Sequence, residues 1–341
     1  MTMTEQQRPG NGLIELALTN DVRDDILHRL LILPDPTLDV DDAMTRAHQI
    51  FALLPLPMLR AILDFGRHID TPGVMLISNL PTEPDLPPTP PNGGPCAGKS
   101  SFVAEGVLLG LSGLLGEPVG FVTEKEGRVV HDVIPTEPGA TTQTSQGSKV
   151  FLNFHNDIVH DPSGRYDISN PDFLVLNCLR ADPVAEAETW YADARDVLHV
   201  LDRDAVEILR SPLFQLNAPG GYVRMFAGGK EVYSDPIAIL SGPGHAPEIA
   251  VAANGVRCLT PEAADALEQL QVACRAPEVA SVVRLMPGQA LLINNRKGLH
   301  ARTQFSAQYD GRDRWLQRTY IRRSLWNIRG RAEAGSRRVH A

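Results

Sequence analysis

The stretch KVFLNFHNDIV, residues 149–159, has the alternation of apolar and polar side chains that is typical of a β-strand. Side chains two residues apart in a strand point to the same face, so His155 and Asp157 are expected on one side of a sheet. An imidazole and a carboxylate from one strand, joined by a distant histidine, form the facial triad that binds iron(II) and leaves coordination positions open. This stretch therefore predicts a β fold with a metal site on one of its strands.

A second triplet of the same kind, His68-Ile69-Asp70, competes with this interpretation. With 10 histidines and 41 acidic residues in the chain, about one such triplet is expected by chance. The competitor ends a helical segment, where residues two apart do not face each other. The strand setting therefore favours His155 and Asp157, and a purely structural role for the triplet stays the alternative.

Short β-prone segments continue outward from this stretch, between Val119 and Arg323, and turns separate them. One of them is GYVRMFAG, residues 221–228. Many short strands with helices packed outside predict a mainly β fold with flanking helices, in which the strands form a jelly-roll core. Helical periodicity is seen over residues 41–68 with a break at Pro55 and Pro57, and over residues 101–116, 194–201, 204–210 and 260–274.

A single domain is expected rather than two. A Pro- and Gly-rich loop over residues 81–98 is a candidate lid, and the basic end of the chain is interpreted as a solvated terminus. The predicted organisation is a polar leader at 1–12, one domain at 13–328 with a helical part at 13–118 and a β core at 119–328, and a basic tail at 329–341.

The charge balance and the cysteine content limit the classes of protein to which this chain can belong. Lys and Arg number 32 against 41 Asp and Glu, a net charge of −9, which disfavours nucleic-acid binding driven by phosphate neutralisation. No stretch approaches the roughly 20 apolar residues of a membrane helix. The 4 cysteines show no CxxC spacing, so reduced thiols and a cytoplasmic location are expected, and a homo-oligomer is left open.

Downstream, His300 begins a predicted strand, and Arg314 stands on what is expected to be the next strand of a hairpin. The planar guanidinium of arginine binds a carboxylate through two hydrogen bonds, which suits the distal carboxylate of 2-oxoglutarate. Arg318 lies on the same face of that strand, about 13 Å further on. The alternative is an exposed charged strand face, but the interleaved Trp315 and Tyr320 indicate burial.

At this point the sequence resembles the clavaminate synthase-like branch of the 2-oxoglutarate-dependent oxygenases, from about Phe102 to Arg323. The motifs that carry the resemblance are LLGEPVGFVTEKEG at 114–127, FHNDIVHDP at 154–162, NPDFLVLNCLRAD at 170–182, VYSDPIAILSG at 232–242, and the spacing of His300 and Arg314.

This resemblance implies a double-stranded β-helix, the cupin-like form of the jelly roll, with iron(II) on His155, Asp157 and His300. It also implies that Arg314 and Thr189 bind 2-oxoglutarate and that dioxygen is the third reactant. A free amino acid is the implied substrate, with Arg318 on its α-carboxylate. By looser analogy its head group is held by Glu124 or Glu126 and by Ser145 or Gln146, and the alternative for each is a polar core residue.

The implied reaction couples oxidative decarboxylation of 2-oxoglutarate to hydroxylation of a free L-amino acid. Lysine is the first candidate, followed by arginine, citrulline and asparagine. Asn254 falls near an acidic position of the arginine hydroxylases, which weakens arginine, and Glu248 or Asp235 is the remaining acid for a cationic side chain. Asp157 replaces the glutamate common in this branch but keeps a carboxylate, which disfavours halogenation.

Two other functions stay open at this point. In the first, the same iron site performs desaturation or ring closure on an amino-acid-derived metabolite. In the second, the chain is a non-catalytic metal-binding jelly roll that senses a small ligand.

Overall fold

The computed structural model describes residues 12–340, and residues 1–11, most of the predicted leader, lie outside the described residues. The helices are α1 Asn20–Leu30, α2 Val40–Phe51, α3 Leu56–Arg67, α4 Val103–Leu115, α5 Tyr166–Ser169, α6 Ala194–Val200, α7 Arg203–Leu209, α8 Gly220–Phe226 and α9 Pro261–Ala273. The strands are β1 Leu13–Ala17, β2 Val74–Ser78, β3 Glu117–Phe121, β4 His131–Val133, β5 Leu152–His155, β6 Phe173–Arg180, β7 Thr189–Asp193, β8 Phe214–Leu216, β9 Leu240–Ser241, β10 Glu248–Ile249, β11 Val256–Cys258, β12 Ala280–Val283, β13 Ala290–Asn294, β14 Gly298–Arg302, β15 Trp315–Arg322 and β16 Arg338–Val339.

Two β-sheets lie at the centre of the described chain. The larger sheet has the order β1-β2-β13-β6-β15-β3-β16, and β4 also pairs with β15. The smaller sheet has the order β12-β7-β14-β5. The chain crosses repeatedly between them, because β5, β7 and β14 belong to the smaller sheet while β6, β13 and β15 belong to the larger one.

The space between the two sheets is filled from both sides. Leu174 and Leu291 of the larger sheet share one apolar cluster with Tyr191 and Val283 of the smaller sheet. Alternate side chains of these strands point into the space between the sheets, so the inner faces of the two sheets meet in a common core. The polar side chains described below interrupt this core at one end.

Helix α4 packs against the other face of the larger sheet. Its side chains are buried nearly all round, as expected for a helix enclosed by other elements. Gly110 lets α2 approach closely, because a Cβ at that position would lie 2.2 Å from Cδ2 of Phe51. Helices α6, α7 and α9 pack in a separate cluster with the smaller sheet.

The predicted helices are confirmed, including the break at Pro55 between α2 and α3. The prediction of GYVRMFAG as a strand is wrong, because these residues form α8. Tyr222 and Phe226, four residues apart, place their ring centroids 5.1 Å from each other, a contact that helical spacing provides. No helix within residues 12–340 is long and apolar enough to cross a membrane.

The basic end of the chain returns to the larger sheet. Strand β16 pairs in parallel with β3, and the side chain of Val339 is buried. Arg337 donates to Glu117 at 2.9 Å and to Asp41 at 2.5 Å. The interpretation of this segment as a solvated terminus is therefore wrong for residues 337–339, because two carboxylates and a strand edge bind it.

Candidate functional site

Three side chains with metal-binding atoms converge at one end of the smaller sheet. His155 is the last residue of β5, and His300 lies opposite it at the centre of β14 with the ring centroids 4.3 Å apart. Asp157 lies in the turn after β5. One ligand atom from each of His155, Asp157 and His300 lies within 4.8 Å of the others.

The turn that carries Asp157 differs from the predicted strand. Residues 149–159 were expected to run as one strand, but β5 ends at His155 and Ile158 has φ 53°. A positive φ is uncommon for a β-branched residue and costs on the order of 1–3 kcal/mol. The chain bends at this point, and the bend, rather than strand periodicity, brings the Asp157 carboxylate to the two imidazoles.

Two buried asparagines fix this turn, and sequence reasoning missed both. The side-chain oxygen of Asn295 accepts the backbone N–H of Asp157 at 3.0 Å, and its amide nitrogen donates to the carbonyl of Asp157 at 3.0 Å. Asn156 donates to the carbonyls of Asn295 at 2.6 Å and Gly298 at 2.9 Å. The sequence did contain a signal for Asn295, which is the Asn-Asn pair at 294–295 directly after the apolar run ALLI.

The protonation states suit metal binding. Nδ1 of His155 donates to the carbonyl of Asn153 at 2.7 Å, which leaves the Nε2 lone pair facing Asp157. Burial and the neighbouring His300 lower the pKa of His155 to about 3, so the imidazole is neutral. Burial alone would raise the pKa of Asp157, but Arg318 and the two histidines outweigh it and hold that pKa well below its usual value.

The 2-His-1-carboxylate triad requires two imidazole nitrogens and one carboxylate oxygen as donors. Here the two nitrogens come from the neighbouring strands β5 and β14, and the oxygen comes from the turn after β5. The Asp157 oxygens lie 3.9 Å from Nε2 of His155 and 3.5 Å from Nε2 of His300. Neither of these contacts is a short hydrogen bond, so the three donor atoms lie near one another and their lone pairs stay available for a metal ion. The residues present therefore fit a bound iron(II).

Arg314 and Arg318 face the same cavity from the larger sheet. Arg314, directly before β15, is only 6% exposed, and within residues 12–340 its guanidinium has no hydrogen bond or ion pair. Arg318 donates to Asp157 at 2.9 Å, while its Nε is buried with no partner among the described residues. Burial lowers the pKa of Arg314, and a buried cation of this kind calls for an anion.

The predicted hairpin between His300 and Arg314 is wrong. Strand β14 belongs to the smaller sheet and β15 to the larger, and residues 303–314 cross from one to the other. His300 and Arg314 still open on one cavity, because that cavity lies between the two sheets. The expectation of a common cavity thus holds for a different geometric reason.

The cavity has a volume of about 760 Å³. Thr189 lies in β7, while Glu124, three residues after β3, is half-buried and Glu126 is exposed. Burial raises the pKa of Glu124, against the opposing attraction of Arg318. The other predicted residues that line the cavity, besides the metal ligands and arginines, are Thr189, Glu124, Glu126, Ser145, Gln146 and Asn254.

Other expectations about this cavity fail. No residue of the loop at 81–98 lines it, and the loop is instead tied down where Thr89 donates to the carbonyls of Gly311 at 2.8 Å and Asp313 at 2.7 Å. Helix α8 lines it instead, through Arg224 and Met225. Glu248 and Asp235 are absent from its walls, and Glu248 is bound to Arg296 at 2.5 Å.

Sequence reasoning also missed Arg302, which lines the cavity two residues after His300. It is 6% exposed and stands opposite Thr189 in the pairing of β14 with β7. Burial and the nearby Arg314 lower its pKa. The period-2 alternation of a strand was sufficient to place Arg302 on the face of His300, so the signal was present.

The chain matches the family model "Taurine catabolism dioxygenase TauD, TfdA family" over residues 103–320. L-asparagine oxygenase of Streptomyces coelicolor is 34% identical over 284 residues, which cover 82% of this chain and 81% of the relative. Clavaminate synthase 2 of Streptomyces clavuligerus is 32% identical over 307 residues, which cover 88% of this chain and 90% of the relative.

A solved structure of asparagine oxygenase in complex with Fe(II), 2S,3S-3-hydroxyasparagine and succinate matches with a TM-score of 0.83 and 31% identity. The match covers 96% of this chain and 99% of that chain. The resemblance to clavaminate synthase-like oxygenases that the motifs indicated is confirmed, as is the enzyme class. The chain belongs to the TauD/TfdA family of dioxygenases.

Proposed function

We propose that this chain is an iron(II)- and 2-oxoglutarate-dependent hydroxylase of a free L-amino acid. The observation that carries the proposal is the pairing of two features in one cavity. A triad of two histidines and one carboxylate is assembled at its wall, and an unpaired buried arginine faces it from the opposite sheet. A ligand sensor would need the first feature but not a separate anchor for a dicarboxylate.

The residues divide between metal, co-substrate and substrate. His155, Asp157 and His300 hold the iron. Arg314 and the Thr189 hydroxyl bind the distal carboxylate of 2-oxoglutarate. When bound, the iron supplies the redox chemistry that converts 2-oxoglutarate and dioxygen to succinate and carbon dioxide and places one oxygen atom in a substrate C–H bond.

Arg318 has two tasks in this proposal. Its Nη1 neutralises Asp157, and its unpartnered Nε stays available for the α-carboxylate of the amino acid. Glu124, or the exposed Glu126, accepts the α-ammonium, with Ser145 or Gln146 as further hydrogen-bonding groups. The protein's contribution is to fix which carbon of the substrate faces the metal and to exclude bulk water.

The charges around the cavity order the candidate side chains. Its carboxylates are Asp157, Glu124 and Glu126. The first binds metal and Glu124 or Glu126 serves the α-ammonium, so one carboxylate at most, adjacent in sequence to the cationic Lys125, remains for a charged substrate side chain. The remaining polar groups include Asn217, Asn254 and the cationic Arg224. A buried ammonium needs a carboxylate, so we rank the neutral side chains of asparagine and citrulline ahead of lysine, the first candidate from the sequence.

We further propose that the two facing sheets form the double-stranded β-helix of the clavaminate synthase-like branch, within one domain that extends beyond the predicted 13–328 to include β16. The crossing of the chain between sheets at β5, β6 and β7 and again at β13, β14 and β15 supports this topology. A cytoplasmic location and a homo-oligomeric state stay predictions from the sequence.

The test is succinate formation with a panel of free amino acids, each with and without iron(II). One member of the panel should stimulate succinate release and gain one oxygen atom in the mass spectrum, whereas loss of two hydrogens would indicate desaturation. Asp157→Ala should abolish turnover, and Arg314→Gln should raise the KM for 2-oxoglutarate by about 10- to 100-fold.

Arg312→Gln is the matched control, because Arg312 is exposed and ion-paired with Asp310 at 2.5 Å, two residues from Arg314. It should retain wild-type turnover. Unchanged turnover in Asp157→Ala, together with an unchanged KM for 2-oxoglutarate in Arg314→Gln, would refute the proposed function.

A further inference from the structure

A second buried guanidinium, that of Arg302, faces the cavity and has no assigned partner in the proposed function. Nη1 donates to the carbonyl of Thr303 at 3.3 Å and Nη2 to that of Val150 at 3.4 Å. Its Nε is buried with no hydrogen-bond partner among the described residues. These bonds are long and end on neutral oxygens, so the positive charge of Arg302 lacks a counter-charge.

The strand geometry fixes where Arg302 points. It follows His300 by two residues in β14, so both side chains lie on the face that lines the cavity. In the pairing of β14 with β7, Arg302 stands directly opposite Thr189. Directly opposed side chains in an antiparallel pair have their Cβ atoms about 5 Å apart, so the guanidinium and the hydroxyl emerge side by side.

Arg302 and Arg314 meet on one aromatic ring. Their guanidinium carbons lie 5.2 Å and 5.8 Å from the ring centroid of Phe305. Neither arginine has an ion pair within 4.0 Å in residues 12–340. Two like charges in a buried site repel each other and are stable together only with an anion beside them.

We propose that Arg302 and Arg314 together bind the distal carboxylate of 2-oxoglutarate, one guanidinium from each sheet, with the Thr189 hydroxyl between them. This inference rests on the proposed function. Arg302 lies about 7 Å along β14 from His300, a separation comparable to an extended five-carbon dicarboxylate. One strand therefore carries a metal ligand and a co-substrate anchor at the spacing of the two ends of the molecule.

The experiment is calorimetric titration of the Mn(II)-loaded protein with 2-oxoglutarate and, separately, with 2-oxobutyrate. Both ligands have the 2-oxo acid end, but only the first has a distal carboxylate. Arg302→Gln should raise the Kd for 2-oxoglutarate by about 10- to 100-fold, while the Kd for 2-oxobutyrate changes by less than about threefold. Arg302→Lys, which keeps the charge but not the planar fork, should bind 2-oxoglutarate between wild type and Arg302→Gln.

Arg322→Gln is the matched control, because Arg322 is equally buried in β15 but pairs with Asp172 and lies outside the cavity. It should lower the unfolding temperature and leave both Kd values unchanged. The inference is overturned if folded Arg302→Gln keeps the wild-type Kd for 2-oxoglutarate. It is also overturned if this variant loses affinity for 2-oxoglutarate and for 2-oxobutyrate by the same factor. If Arg302→Gln does not fold, Arg302→Lys decides by the same criterion. Wild-type protein that fails to bind 2-oxoglutarate overturns the proposed function itself.

Discussion

Replacing Asn295 by alanine tests whether the geometry of the proposed metal site depends on a residue that is not one of the proposed ligands. The fully buried Asn295 side chain makes three hydrogen bonds, two with the backbone of Asp157 and one of 3.1 Å to the carbonyl of Pro171. Each is worth about 0.5–1.5 kcal/mol, so Asn295→Ala should lower the free energy of unfolding by about 2–4 kcal/mol.

The same change releases the turn that carries Asp157. Outer-shell partners of metal ligands typically contribute 10- to 100-fold in metal affinity, so the Kd for Mn(II) should rise by about that factor. Urea unfolding of the metal-free protein gives the stability change, and competition with a fluorescent chelator gives the metal Kd.

Asn177→Ala is the control for this prediction. Asn177 is a buried asparagine of β6 whose amide donates to the carbonyl of Ala104 at 3.0 Å, away from the metal ligands. Its loss should reduce stability and leave the Mn(II) affinity at the wild-type value. If Asn295→Ala also keeps wild-type metal affinity at temperatures where it is folded, the turn does not depend on this side chain and the reasoning fails.

Two further predictions concern stability alone. Gly110→Ala places a methyl group against the Phe51 ring and should destabilise the protein by about 1–3 kcal/mol, whereas an unchanged urea midpoint would show that α2 and α4 can separate without cost. Burial and Arg318 lower the pKa of His131 to about 3. Between about pH 6.5 and pH 3 this residue is therefore protonated in the unfolded chain but neutral in the folded protein. The free energy of unfolding should therefore fall as the pH drops from about 6.5 towards 3, by up to about 1.4 kcal/mol per pH unit from this residue, and unfolding curves of His131→Gln at pH 7 and pH 5 should show a shallower decline.

Sequence periodicity predicted the faces of strands better than their partners. Alternation placed Arg314 and Arg318 on one face, and both do face the cavity. It could not show that β14 and β15 lie in different sheets, because pairing depends on contacts distant in sequence. Strand alternation predicted that Asp157 lies beside His155. The position is right but the reason is wrong, because a bend held by Asn156 and Asn295 brings Asp157 there.

The segments that were predicted wrongly depend on long-range contacts as well. The peptide GYVRMFAG has the β-branched and aromatic content of a strand, but no sheet edge receives it and it forms α8. The end of the chain is basic and polar, yet Val339 completes a strand beside β3. Composition predicts solvent exposure for such a segment, whereas the edge of β3 and the positions of Glu117 and Asp41 explain why it is bound.

The crossing of the chain between sheets separates reactivity from selectivity in a way that protein engineering can use. The groups assigned to iron and 2-oxoglutarate lie on or beside β5, β7, β14 and β15, which the core braces. The wall that would face a substrate side chain comes from connecting segments, including α8 and residues 252–254. Exchanging those segments for counterparts from relatives should retarget the enzyme to other amino acids while its oxidative machinery stays intact.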